Sequence, residues 1–175
     1  IETKDVKYAD KLGYVIKLIG YAKKDGKLFA RVAPMLVPKK YPLAGVDGVF
    51  NAIIVRGNYL GTSMFYGRGA GKFPTASAVV ADVIDSVRHI NANKAYIEWK
   101  NAAPDYMLPA EESENRYFAV TDAPKDQTES LFGEIVTADG ENGEYAFITG
   151  AMKEKKFSEK AAMLGIAKFI RILEA

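Results

Sequence analysis

The run Phe65-Tyr66-Gly67-Arg68-Gly69-Ala70-Gly71-Lys72-Phe73-Pro74-Thr75-Ala76-Ser77-Ala78-Val79-Val80 restricts this chain more than any other segment. A strand-like stretch, Thr62 to Tyr66, runs into three glycines within five residues, and Pro74 and Thr75 open a helix directly afterwards. Each glycine lacks a Cβ and tolerates positive φ, so the backbone can turn tightly and a bound group can come close. The first turn of the helix aims N–H groups without helical partners back at the glycines, which suits an anion. A tight strand-to-helix connection whose glycines serve only the turn leaves the same pattern. A Rossmann fingerprint does not: it needs GxGxxG and an acidic residue about twenty positions on, and Lys72 stands where the third glycine belongs. The turn is therefore not the primary dinucleotide fold.

At 175 residues, 49% hydrophobic and 26% charged, the chain is long enough for one domain or two small ones. It has no cysteine, which excludes disulfides, iron–sulfur clusters and thiolate zinc, and a single histidine, His89, which excludes a histidine-rich metal site. No metal site is expected. No apolar run reaches membrane-spanning length and no leader is visible, so no membrane partner and a cytoplasmic location are expected. Residues 1–92 carry 14 Lys/Arg against 7 Asp/Glu, and residues 93–175 carry 10 against 15. That shift marks a domain boundary. The basic residues are scattered and lack interleaved exposed aromatics, so two solvated surfaces are favoured over a nucleic-acid partner. A chain that opens on Ile1 reads as a piece of a longer protein.

Along the chain, Thr3 as N-cap, Asp5 near the positive helix end, and Val6, Ala9, Leu12 or Gly13, Ile16 and Ile19 at helical spacing predict a helix over 4–23. An Asp25-Gly26 turn ends it, and Leu28 to Leu36 reads as a strand. Asn51 to Arg56 and Thr62 to Tyr66, joined by five residues containing glycine, predict an antiparallel hairpin. Ala76, Val79, Val80, Val83, Ile84 and Val87 give the helix after the glycines an apolar face, and His89 suits its C-terminal cap. Residues 91–114, with the only tryptophan, Trp99, and the acidic Glu111-Glu112-Ser113-Glu114, read as a join. The tail then predicts strand 116–120, helix 127–132, strands 134–138 and 144–149, helix 153–164 and strand 167–173, the ferredoxin-like βαββαβ order.

These residues carry a family resemblance. Asp10 to Leu18, Arg31-Val32-Ala33-Pro34 with Leu36-Val37-Pro38, Pro42-Leu43-Ala44, Asn51-Ala52 and the Phe65 to Val80 run, in this order, resemble the latter part of homoserine dehydrogenase. The likeness covers roughly residues 1–92, and the tail resembles the ACT-type regulatory module of that family. The resemblance implies an α/β (α+β) mixed-sheet portion of the substrate and dimerisation domain over residues 1–92, a linker over 93–114 and an ACT-like domain over 115–175. It also implies a missing N-terminal dinucleotide-binding domain, with the substrate carboxylates and catalytic lysine lying before Thr3. No catalytic residue is therefore assigned here, and Lys7, Lys11 and Lys17 read as solvated helix residues.

By the same resemblance Gly71 touches the nicotinamide cofactor, NAD or NADP, while Gly67 and Gly69 shape its approach. The parent would be an oxidoreductase interconverting L-homoserine and L-aspartate 4-semialdehyde, working as a homodimer; this piece alone is expected to be inactive. The alternative is a non-catalytic amino-acid-sensing or assembly module. An amino-acid effector at the tail is a possible partner, but Thr121-Asp122-Ala123-Pro124-Lys125-Asp126 lacks the glycine of the family's effector turn, which leaves Lys125 to orient a ligand and predicts weak threonine binding or none.

Overall fold

The computed structural model describes residues 1–92 and 100–174. In chain order the elements are α1 (Thr3–Lys11), β1 (Tyr14–Asp25), β2 (Lys27–Pro38), a 3₁₀ turn (Pro42–Gly45), β3 (Phe50–Gly57), β4 (Gly61–Arg68), α2 (Lys72–Arg88), a second 3₁₀ turn (Ala110–Glu112), β5 (Glu114–Asn115), β6 (Tyr117–Thr121), α3 (Lys125–Phe132), β7 (Val136–Asp139), β8 (Tyr145–Ile148), β9 (Met152–Lys153), α4 (Glu154–Met163) and β10 (Phe169–Ile172). They form two compact units, one from residues 1–44 with 102–174 and the other from 45–101. Trp99 lies outside the described residues.

The first unit is a mixed α/β structure built on a six-stranded sheet in the order β1-β2-β10-β6-β8-β7. All pairs are antiparallel except β2 with β10. Within it the tail strands keep the split arrangement of a βαββαβ unit, the last strand beside the first and the second at the edge. Compact packing thus follows a different line from the 1–92, 93–114 and 115–175 division read from sequence, because β2 continues the tail's sheet. Around β10, β6 and β8 both faces of that sheet are buried, and alternation along each strand sorts the side chains. Tyr117, Ala119, Phe147 and Tyr145 join Phe157 and Ala161 of α4 and Phe132 of α3 on one side. Phe118, Ala146, Ile148, Ile170 and Ile172 lie under Tyr8 and Ala9 of α1 on the other.

The helix expected over 4–23 stops at Lys11. Gly13, at φ +84°, takes the left-handed conformation that ends a helix, and Tyr14–Asp25 continues as a strand hairpinned to β2 through Gly26. Val15, Ile16, Ile19 and Tyr21 are strand-favouring residues whose apolar positions also fit helical spacing over so short a stretch. Lys17 therefore sits on β1 and not on a helix. The N-cap is Glu2, one residue before the expected Thr3; its N–H donates to the Asp5 carboxylate at 2.7 Å, and Asp5 is buried with Lys168 3.2 Å away. The helices after the glycines and in the tail fall within two residues of expectation.

The second unit is the β3–β4 hairpin followed by α2. The strands pair from Phe50 opposite Arg68 to Gly57 opposite Gly61, and Phe50 stacks on Tyr66 at 5.0 Å. None of its described residues is buried. Val79, Val83 and Val87 along α2 are each more than half exposed, as are Ile53 and Phe65 on the hairpin. A two-stranded hairpin with an uncovered apolar helix buries too little to be stable by itself. No helix among the described residues is long and apolar enough to cross a membrane.

Candidate functional site

Strand β4 delivers the glycines to the start of α2. Gly67 is the penultimate residue of β4, paired with Asn51; Gly69 and Ala70 make the turn, and Gly71 is the N-cap of α2. The three glycines have three different reasons to be glycine. Gly71 sits at φ +119° and ψ 152°, a region open essentially to glycine alone. A Cβ on Gly69 would lie 2.3 Å from Asn51 Nδ2 and 2.8 Å from its Cγ, so the Asn51 side chain occupies that space. A Cβ on Gly67 would meet nothing within 4 Å, and its φ is ordinary. The chain itself gives Gly67 no need to be glycine.

The carbonyl of Gly71 is held in place by the helix it opens. Thr75 N–H donates to it at 3.2 Å and the Thr75 hydroxyl at 2.9 Å. With Pro74 offering no N–H, the amides of the first turn face the glycine turn without helical partners. At the other end of α2, His89 is the C-cap, its Nδ1 2.9 Å from the Asp85 carbonyl and 3.0 Å from the Asp85 carboxylate, the capping role its position suggested. No group of three residues able to hold a metal occurs among the described residues.

The tail loop is a separate place in the first unit. Thr121 Oγ1 accepts the Ala123 N–H at 3.1 Å, so the loop closes on its own hydroxyl. Lys125 Nζ lies 2.6 Å from Asp139 Oδ1 and over the Tyr145 ring. The hydrogen bond and charge of Lys125 lower the Asp139 pKa, and those of Asp139 raise that of Lys125. A cavity of about 200 Å³ lies beside the loop, lined among others by Lys4, Asp5, Asp122 and Lys168. Sequence reading missed the seat of α1 on the tail: Tyr8 donates to Glu144 at 3.1 Å and Lys4 reaches the same carboxylate at 2.7 Å. Burial, then the hydrogen bond to Glu144, pushes the Tyr8 hydroxyl pKa up.

The chain is similar to known proteins of one kind. A family model described as homoserine dehydrogenase matches residues 1–84. A homoserine dehydrogenase of Neisseria gonorrhoeae is 41% identical over 138 residues, 75% of this chain and 32% of that protein. One of Synechocystis is 51% identical over 109 residues, 59% of this chain and 24% of that protein. Among solved structures, a homoserine dehydrogenase from Thiobacillus denitrificans aligns with a TM-score of 0.78 at 31% identity, and one from S. aureus with 0.73 at 29%; both alignments take in 98% of this chain and 45% of the other. The likeness therefore runs through the tail as well as residues 1–92. The chain spans no more than about a third of the length of the curated relatives it matches. On the family match, the identities and the shared fold together, the chain belongs to the homoserine dehydrogenase family.

Proposed function

We propose that this chain is part of an enzyme that interconverts L-homoserine and L-aspartate 4-semialdehyde with NAD or NADP, and that residues 45–92 supply a wall on the cofactor side. The observation that carries the reading is the glycine turn. Gly71 holds a glycine-only conformation at the start of a 17-residue helix, and Gly67 faces open space with no internal reason to lack a side chain. A group pressed against that backbone from outside is a reason. The cofactor, when bound, accepts or gives a hydride at its nicotinamide ring. The residues of this chain would do the holding: the Gly67 and Gly71 backbone admits the cofactor, and the first-turn amides of α2 favour its negative charge. The exposed apolar face of α2 and the hairpin is surface that further protein of a homodimeric enzyme would cover. The intact protein should oxidise L-homoserine with NAD or NADP and sediment as a dimer, whereas this chain alone should leave nicotinamide absorbance unchanged. Robust turnover by this chain, or none by the intact protein, would sink the reading.

For the tail we propose a unit that binds threonine weakly or not at all. Its strand order is that of ACT-type units, yet its loop from Thr121 to Asp126 spends the Ala123 amide and Lys125 on internal contacts. Threonine titrated calorimetrically into the whole chain should give no saturable heat in the micromolar range. The whole chain is the correct object because α1 covers one face of the tail's sheet. Saturable micromolar binding would show that the loop opens for a ligand.

A further inference from the structure

The tail meets the β1–β2 hairpin along a short line. β10 pairs with β2 only at Arg171 opposite Met35 and Ile172 opposite Leu36, and Leu173 N–H donates to the Leu36 carbonyl at 2.8 Å. Beside this seam three charged side chains, each 12 to 16% exposed, share one place. Glu154, the first residue of α4, is gripped by Arg171 through both oxygens, with Nε 2.7 Å from Oε2 and Nη2 on Oε1. It is touched by Arg31 of β2 once, Nη2 to Oε2 at 2.9 Å. Each guanidinium also lies over a ring of its own strand, Arg31 over Phe29 and Arg171 over Phe169. Arg31 Nη1 is buried without a hydrogen-bond partner.

Two guanidiniums on one carboxylate leave a surplus positive charge out of water. The two arms are unequal. The Arg171 arm lies wholly within the tail and is a forked, charge-assisted pair, the strong geometry. The Arg31 arm crosses to the hairpin, is single, and strands a buried donor. We propose that the Arg31–Glu154 contact is a releasable latch between the β1–β2 hairpin and the tail. The carboxylate of Glu154 holds it shut and Arg171 keeps that carboxylate placed when it opens. Opening gives Arg31 Nη1 and Nη2 to water and relieves the repulsion between the guanidiniums. The tail stays folded on its own cluster of Tyr117, Phe132, Phe147 and Phe157. The latch acts beside the short β2–β10 pairing and the buried Leu36, which remain when it opens.

Amide exchange in the full chain tests this, with Leu173 reporting the seam and Phe118 and Phe147 reporting the tail's interior. Glu154→Gln leaves two guanidiniums without a counter-charge and should speed Leu173 exchange by about tenfold or more, with Phe118 and Phe147 changing less than about twofold. Arg31→Met keeps the packing volume and removes the latch while leaving Arg171 and Glu154 matched, so Leu173 exchange should speed by about tenfold as well, with Phe118 and Phe147 again changing less than about twofold. The proposal is overturned if Arg31→Met leaves Leu173 exchange unchanged or slows it. It is equally overturned if Glu154→Gln leaves Leu173 untouched or speeds all three amides together, since the triad would then be ordinary fold support.

Discussion

Replacing Gly71 by valine in the intact enzyme is expected to weaken nicotinamide cofactor binding by about tenfold or more while the protein remains folded. At φ +119° and ψ 152° a side chain costs about 1–3 kcal/mol, and each 1.4 kcal/mol lost from binding is a factor of about ten. Crowding is not the cause, because a Cβ there would lie 3.5 Å from Pro74 Cδ, ordinary contact. Gly71→Ala should therefore lose nearly as much as valine. Gly67→Ala separates approach from strain: with nothing within 4 Å and an ordinary φ it should fold normally. Any loss of cofactor affinity in that variant reads close approach alone. Fluorescence titration of cofactor, with a thermal melt of each variant, makes the measurement. Equal affinity in folded Gly71→Val and wild type would leave Gly71 with a role in the turn only.

Gly140→Ala should be the costliest single-methyl change in the first unit. A Cβ at 140 would lie 1.6 Å from Tyr8 Oη, 2.6 Å from Tyr8 Cζ and 2.8 Å from the Glu144 carbonyl, which accepts the Gly140 N–H at 2.9 Å. Either α1 lifts or the β7–β8 turn deforms, an overpacking of about 1–3 kcal/mol, with a drop of several degrees in Tm. Tyr8→Phe in the same chain removes the hydroxyl overlap but neither of the other two, so rescue should be partial. Urea or thermal unfolding of the four chains completes the cycle. A Gly140→Ala midpoint equal to wild type would show that Tyr8 is not seated on that turn.

The Glu154 cluster sets a pH dependence of definite sign. Burial raises the Glu154 pKa, but the hydrogen bonds and charges of Arg171 and then Arg31 outweigh it, and the net direction is down. A carboxylate held below its unfolded value contributes stability above that value and loses it as pH falls through the folded one. Wild type should therefore lose more stability than Glu154→Gln on acidification below the ordinary glutamate range. Parallel acid profiles for the two chains would contradict it.

Local signals placed the β3–β4 hairpin, the glycine turn, α2 and the tail elements, because each is written over consecutive residues: a glycine-containing loop between β-rich runs, Pro74 opening a helix, Phe157, Ala161 and Leu164 at helical spacing. The first segment shows where such reading breaks. Val6 to Ile19 satisfies a helical period, but Gly13 at positive φ divides it, and the strand half is rewarded only by its pairing with β2. The reasons for glycine at 69 and 140 lie in Asn51 and Tyr8, far along the chain. Glu154 is a first-turn acid of α4, and β2 and β10 bring two arginines to it. By itself the sequence determined the family and the order of the elements from β3 to α2 and through the tail's βαββαβ run, since these depend on neighbours in the chain. Only the tertiary structure decided that β1 and β2 extend the tail's sheet, that α1 roofs it and that Arg31 meets Glu154. Those contacts join residues more than a hundred positions apart, and their free energy comes from burial and charge pairing that no local pattern encodes.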